Sequence, residues 1–166
     1  TRLLGLTLTD EFWRLWQGLC DRLVASALAE PQVFVHRDFH SRNIMVPSKG
    51  ALGLLDFQDA VRGPLSYDLV SLLRDCYVEY EPAMQQALVE GYRQIWLSDP
   101  RVQAMTPTAF YKSFENMGLQ RHLKCAGIFS RLCLRDGKSR YLNDIPMVLK
   151  YIASVCKRQP ELGEFY

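Results

Sequence analysis

The sequence predicts a mostly α domain with a small β hairpin, an α+β fold. Three observations carry that reading. Apolar β-rich runs are confined to Val33–Val35, Ile44–Val46 and Leu52–Leu55, while helical periodicity recurs from residue 66 onward. The 166 residues, 48% of them hydrophobic, are enough for one domain with a proper core and too few for two of ordinary size.

The elements follow in order. Thr9-Asp10-Glu11 starts a helix in which Phe12, Trp16, Leu19, Leu23 and Ala27 recur at helical spacing until Pro31. Two β runs then flank Pro47-Ser48-Lys49-Gly50, a turn signal that folds them into a hairpin. Gly63-Pro64 marks another turn, and Ser66 to Cys76 reads as a helix opened by a polar cap, with Asp68 in its first turn. Three more helices are expected, Pro82 to Trp96, Thr106 to about Arg135 and Asp144 to Cys156, with breaks at Asp99-Pro100 and Asp136-Gly137.

Polar residues at the strand ends carry the chemistry. The first run ends in His36-Arg37-Asp38, the second is preceded by Asn43, and the third stops at Asp56. Antiparallel partners lie about 5 Å apart, so a hairpin across Pro47 to Ala51 sets Asn43 close to Asp56. Magnesium takes hard oxygen ligands and keeps several waters, so one or two such side chains plus phosphate oxygens suffice to hold it. Asp38, five residues before Asn43, suits a carboxylate that accepts or orients the proton of an attacking hydroxyl.

His36-Arg37-Asp38 with Asn43, followed by Asp56-Phe57, resembles the catalytic and metal-binding loops of the kinase superfamily. The fuller pattern adds His40, Asp59-Ala60, Gly63-Pro64 and Tyr67-Asp68-Leu69, and is closer to the aminoglycoside phosphotransferase and choline kinase family than to protein kinases. It covers about residues 33 to 76. The resemblance implies the C-terminal lobe of a protein-kinase-like fold, with Asp38 as catalytic base, Asn43 and Asp56 as magnesium ligands, ATP as co-substrate, and His36 and His40 as supports of the catalytic loop. Downstream, Gly118 to Lys124, Gly127 to Leu132 and Tyr141 to Pro146 are similar to a bacterial branch of that family. That branch phosphorylates the anomeric hydroxyl of N-acetylmuramate and N-acetylglucosamine in cell-wall recycling.

A family member of full length also carries an N-terminal nucleotide lobe with a phosphate-covering loop, a strand lysine and a helix glutamate. None is identifiable here, so the chain is expected to be a single kinase-like C-terminal lobe of a longer kinase. Catalytic and metal loops would occupy 33–64 and a helical substrate subdomain 65–166, with the missing lobe as partner.

The remaining candidates have two readings each. Asp68 is read as structural, either capping its helix or pairing with the catalytic-loop backbone. Asp59 either shapes the metal loop or touches substrate, against an exposed turn carboxylate. Arg37 and Arg42 flank the base and attract phosphate or a lactyl carboxylate, or are surface ion-pair partners. His122 is read as solvated or groove-lining, and Trp96, Tyr111 and Phe114 as substrate-binding aromatics or a core stripe.

A net charge of +2 with both signs interspersed gives no block that argues for nucleic acid or a membrane surface. No apolar run approaches the roughly 20 residues of a membrane span. Five scattered cysteines without a Cys-x-x-Cys pattern indicate neither a disulfide framework nor a zinc site, and a cytoplasmic setting fits. Partners are therefore expected to be ATP and a small sugar or amino alcohol. The alternatives are an aminoglycoside, choline or homoserine kinase, or a non-catalytic pseudokinase lobe. A balanced charge mixture over residues 77 to 166 counts against a polycationic substrate.

Overall fold

The computed structural model describes residues 5–75 and 78–165, which fall into two compact units. One is Ser26–Gly118; the other joins the residues up to Ala25 to those from Leu119 onward. Two long helices, α1 (Asp10–Ala29) and α5 (Pro107–Asp136), contribute to both.

In the two-segment unit, Thr9 caps α1 by accepting from the Phe12 amide at 3.2 Å, with Asp10 and Glu11 in the first turn. Leu19 and Leu23 are buried against Leu119, Val155, Cys156 and Leu162, and Trp16 packs on their edge. Helix α5 stops at Gly137, whose φ of 65° suits glycine alone at no steric cost. Helix α6 (Ile145–Arg158) follows. His122, expected at a solvated face or groove, is instead 2% exposed and stacked on Tyr151 with ring centroids 4.6 Å apart. Its own helix shows charged neighbours, so only the partner ring on α6 reveals that this position points inward.

In the other unit, β1 (Gln32–Val35) and β4 (Val61–Pro64) form one antiparallel pair, and β2 (Ile44–Met45) and β3 (Gly53–Leu54) form the expected hairpin. The first pair corrects the sequence reading, because Gly63-Pro64 is not a turn but the end of β4, with Gly63 opposite Val33. A Cβ on Gly63 would stand 3.2 Å from Val35 Cγ2, so glycine is what allows this approach. Helix α2 (Ser66–Leu73) then begins, α3 (Pro82–Ile95) follows, and the expected break at Asp99 caps a short α4 (Pro100–Gln103) through the Arg101 amide. Cys76, the expected end of α2, lies outside the described residues.

The core of this unit is Leu65, Val70, Leu73, Val89, Val102, Phe110, Phe114 and Met117, with Trp96 and Tyr111 packed against it. That places the aromatic stripe on the core side. Among the described residues, no helix is long and apolar enough to cross a membrane.

The N-terminus of α2 corrects a second expectation. No side chain caps it from the N-cap position, Leu65. Instead the buried Glu30 carboxylate accepts from the Ser66 amide at 2.8 Å and the Ser66 hydroxyl at 2.9 Å, so the anchor arrives from the end of α1 rather than from a neighbour in sequence.

Burial pushes the Glu30 carboxyl above its usual value of 4.5, while the two bonds from Ser66 pull it back. An acid with a raised folded-state pKa binds its proton more tightly in the folded protein. Its stabilising contribution is present below pH 4.5 and is lost as pH rises through the folded value. Glu30→Gln should therefore abolish this slope. Thermal melts from pH 4 upward should show wild type losing stability relative to the variant; a difference that stays flat with pH would remove Glu30 as the titrating group.

Candidate active site

The site is built from the ends of the short strands. Beyond the buried Val35, β1 runs into His36, also buried, and then Arg37 at a φ of 76°. A non-glycine residue in the left-handed region is costly and persists where its surroundings over-determine it. Here the surroundings are Asp68, in the first turn of α2, whose carboxylate accepts from the amides of His36 at 2.6 Å and Arg37 at 3.0 Å. These bonds fix the backbone that presents Asp38. The His36 ring lies edge-on to Phe39 with centroids 6.0 Å apart, and its two nitrogens have no hydrogen-bond partner among the described residues.

Asp38 contributes to the loop through its backbone. Its carbonyl accepts from the His40 amide at 3.1 Å and from Asn43 Nδ2 at 2.9 Å. A 3-10 turn, Ser41–Asn43, closes the loop, and the Asn43 amide returns to the His40 carbonyl at 2.9 Å.

The Asn43 carbonyl then accepts from the Leu55 amide at 3.0 Å, which extends the Ile44–Leu54 and Met45–Gly53 pairing by one step. Asn43 thus faces Leu55, and Asp56 is the next residue. Asp56 takes a φ of 65°, a conformation that Asp and Asn tolerate better than most side chains, and this bends the chain out of β3. Gln58 Nε2 donates to Asp56 Oδ1 at 2.6 Å and so orients the carboxylate.

Arg37 ties the two loops together by donating from Nη1 to the Asp59 carbonyl at 3.3 Å. Asp59 makes this contact through its backbone, and its side chain, like that of Arg42, is exposed. Hydrogen bonds thus join Asn43 to Asp38 and to Leu55, the residue before Asp56, while Asp68 holds the start of the loop and Arg37 reaches Asp59.

Residues 2–104, more than half of the chain, match the phosphotransferase enzyme family. The chain belongs to that family. Its fold, mostly helical with small antiparallel sheets, is that of an α+β C-terminal lobe of the kinase-like type. Among curated proteins it is similar to the N-acetylmuramate/N-acetylglucosamine kinase of Neisseria meningitidis serogroup B, 48% identical over 98% of the chain, and to that of Pseudomonas putida, 46% identical over 98%. The kinase of the same name from Caulobacter vibrioides is 35% identical over 90%. The chain spans about half the length of these relatives, 48% of the first two and 40% of the third.

Three side chains of this phosphotransferase-family chain that shape the site escaped the sequence reading. Gln58 orients Asp56, Glu30 anchors α2, and Asp75 receives the amide and hydroxyl of Ser41. Asp75 lies within the stretch read from sequence as helix, but the structure ends α2 at Leu73 and leaves Asp75 beyond it. Nothing in the sequence pairs Glu30 with Ser66.

Proposed function

We propose that this chain is the catalytic half of an ATP-dependent phosphotransferase acting on a small-molecule hydroxyl, in particular the anomeric hydroxyl of N-acetylmuramate or N-acetylglucosamine. The observation that supports the reading is the Leu55 to Asn43 backbone hydrogen bond, which puts Asn43 across from Leu55, the residue that precedes Asp56. Asp38 is fastened to the same Asn43 through its carbonyl. The names of the relatives support the choice of sugar.

In this reading Asp38 accepts a hydrogen bond from the attacking hydroxyl and aligns it in line with the γ-phosphate. The base need not be strong, because positioning and charge stabilisation supply most of the catalysis in a loose transition state. Asn43 and Asp56 would hold the cation. Their donor set, one carboxylate and one carboxamide oxygen, fits magnesium, which binds few protein ligands and completes its shell with phosphate oxygens and water. When bound, the ion neutralises charge developing on the transferred phosphoryl group. In this reading His36 and Asp68 stiffen the loop, His40 supports it, Arg37 and Arg42 attract phosphate or a substrate carboxylate, and Asp59 shapes the metal loop or touches substrate. A cytoplasmic setting supplies the nucleotide. The protein at its relatives' length would supply the nucleotide lobe.

The test is phosphate transfer from magnesium-ATP to a panel of amino sugars, choline and aminoglycosides by the protein at that length. Transfer to an amino sugar is the expected result. Transfer to choline or an aminoglycoside alone would replace the substrate, and no transfer to any acceptor would overturn the reading.

A further inference from the structure

Resting on the phosphotransferase reading above, we propose that Asp75 is a positioning residue for the site, setting the placement of Asn43 and Asp38 through Ser41. Asp75 is 5% exposed, and its Oδ2 accepts from the Ser41 amide at 3.1 Å and the Ser41 hydroxyl at 2.7 Å. Ser41 opens the 3-10 turn whose last residue is Asn43, and no side chain at its own N-cap, His40, holds that turn. The acceptor comes from beyond the end of α2 instead.

Asp68 and Asp75 therefore grip the catalytic loop at two points, the amides of residues 36 and 37 and that of residue 41, with Asp38 between them. Helix α2 acts as a strut of fixed length between the two grips. Moving either would shift Asp38 relative to Asn43, which are joined by the Asn43 Nδ2 bond to the Asp38 carbonyl and by the turn at His40.

A second observation supports an anchored Asp75 end of the strut. Arg74, at the C-cap of α2, is 4% exposed, with Nη2 3.6 Å from Glu115 Oε1 and Nε donating to Gln85 Oε1 at 3.4 Å. Its guanidinium lies 4.8 Å from the Phe114 ring centroid and crosses Gly118, where a Cβ would come within 2.8 Å of Nη1. A buried charge enclosed in this way is strongly disfavoured from moving, because leaving its partners strands an uncompensated ion. These contacts tie residue 74, the neighbour of Asp75, to α3 and α5.

The experiment uses the protein at its relatives' length with Asp75→Ala, Asp75→Asn and Ser41→Ala, read by amide hydrogen exchange, kcat, sugar KM and magnesium dependence. Asp75→Ala should lose protection at the Ser41 amide while α2 and the core keep theirs. It should also lower kcat about tenfold to a hundredfold and raise half-saturating magnesium comparably, with sugar KM within about threefold. Asp75→Asn retains an acceptor oxygen and should recover most of the loss. Ser41→Ala keeps the amide bond and should show a smaller drop, and these two variants carry the test if Asp75→Ala does not fold.

Unchanged kcat and magnesium dependence in Asp75→Ala would overturn the inference. So would a loss of protection spread evenly over the whole unit, the mark of general destabilisation. An inactive wild type would sink the phosphotransferase reading instead, and the exchange data would still decide whether Asp75 holds the loop.

Discussion

Asp38→Asn, made in the protein at its relatives' length, is expected to lower turnover about a thousandfold while leaving magnesium-ATP affinity within about twofold. The separation of the two effects follows from which atoms Asp38 uses. Its contacts to His40 and Asn43 run through the backbone carbonyl, which the substitution leaves in place. What changes is the group proposed to receive the substrate hydroxyl: a carboxamide accepts a hydrogen bond but cannot take the proton as the new bond to phosphorus forms. Rapid-quench turnover and calorimetric titration with magnesium-ATP check the two halves of the statement separately. Wild-type turnover in the variant would remove Asp38 from its role, and a large loss of nucleotide affinity would mean the side chain supports the metal loop after all.

The second large effect is expected from Asp56→Asn. Asn is the informative replacement because residue 56 sits at a φ of 65°, where alanine would add a backbone penalty of order 1 kcal/mol and blur the reading. Asn accepts this conformation and can still receive the Gln58 bond, so the melting temperature should stay within about 2 °C of wild type, as for a surface change of a few tenths of a kcal/mol. Only the charge on the donor oxygen is lost. Removing the one anionic protein ligand from a proposed two-residue magnesium site should cost about 3 kcal/mol of charge stabilisation, or about a hundredfold in turnover at fixed magnesium. Raising the magnesium concentration should recover part of it. A magnesium titration of activity beside a melting curve is sufficient, and identical magnesium dependence in the variant would end the assignment of Asp56 as a ligand.

The two variants also differ in how visible their targets were before any fold was known. Asn43 and Asp56 lie on either side of a turn signalled by Pro47 and Gly50, so a hairpin of a few residues was enough to infer that they approach. Asp38 required only its short distance from Asn43 along one loop. Such local arrangements are legible because the chain between the residues is too short to place them elsewhere.

What the sequence determined by itself was therefore the helical class, the positions of most helices, the β2–β3 hairpin and the residues offered for chemistry. The tertiary structure decided the supports: β4 against β1, Glu30 under Ser66, Asp68 and Asp75 gripping the loop, and Arg74 enclosed between Glu115, Phe114 and Gly118. Each joins residues far apart in the chain. A carboxylate or a glycine carries no mark of its distant partner, since many pairings satisfy its hydrogen bonds or leave it room equally well. Packing of the whole unit selects one of them, and only then do the strained backbone at Arg37 and the inward-facing His36 and His122 acquire a cause.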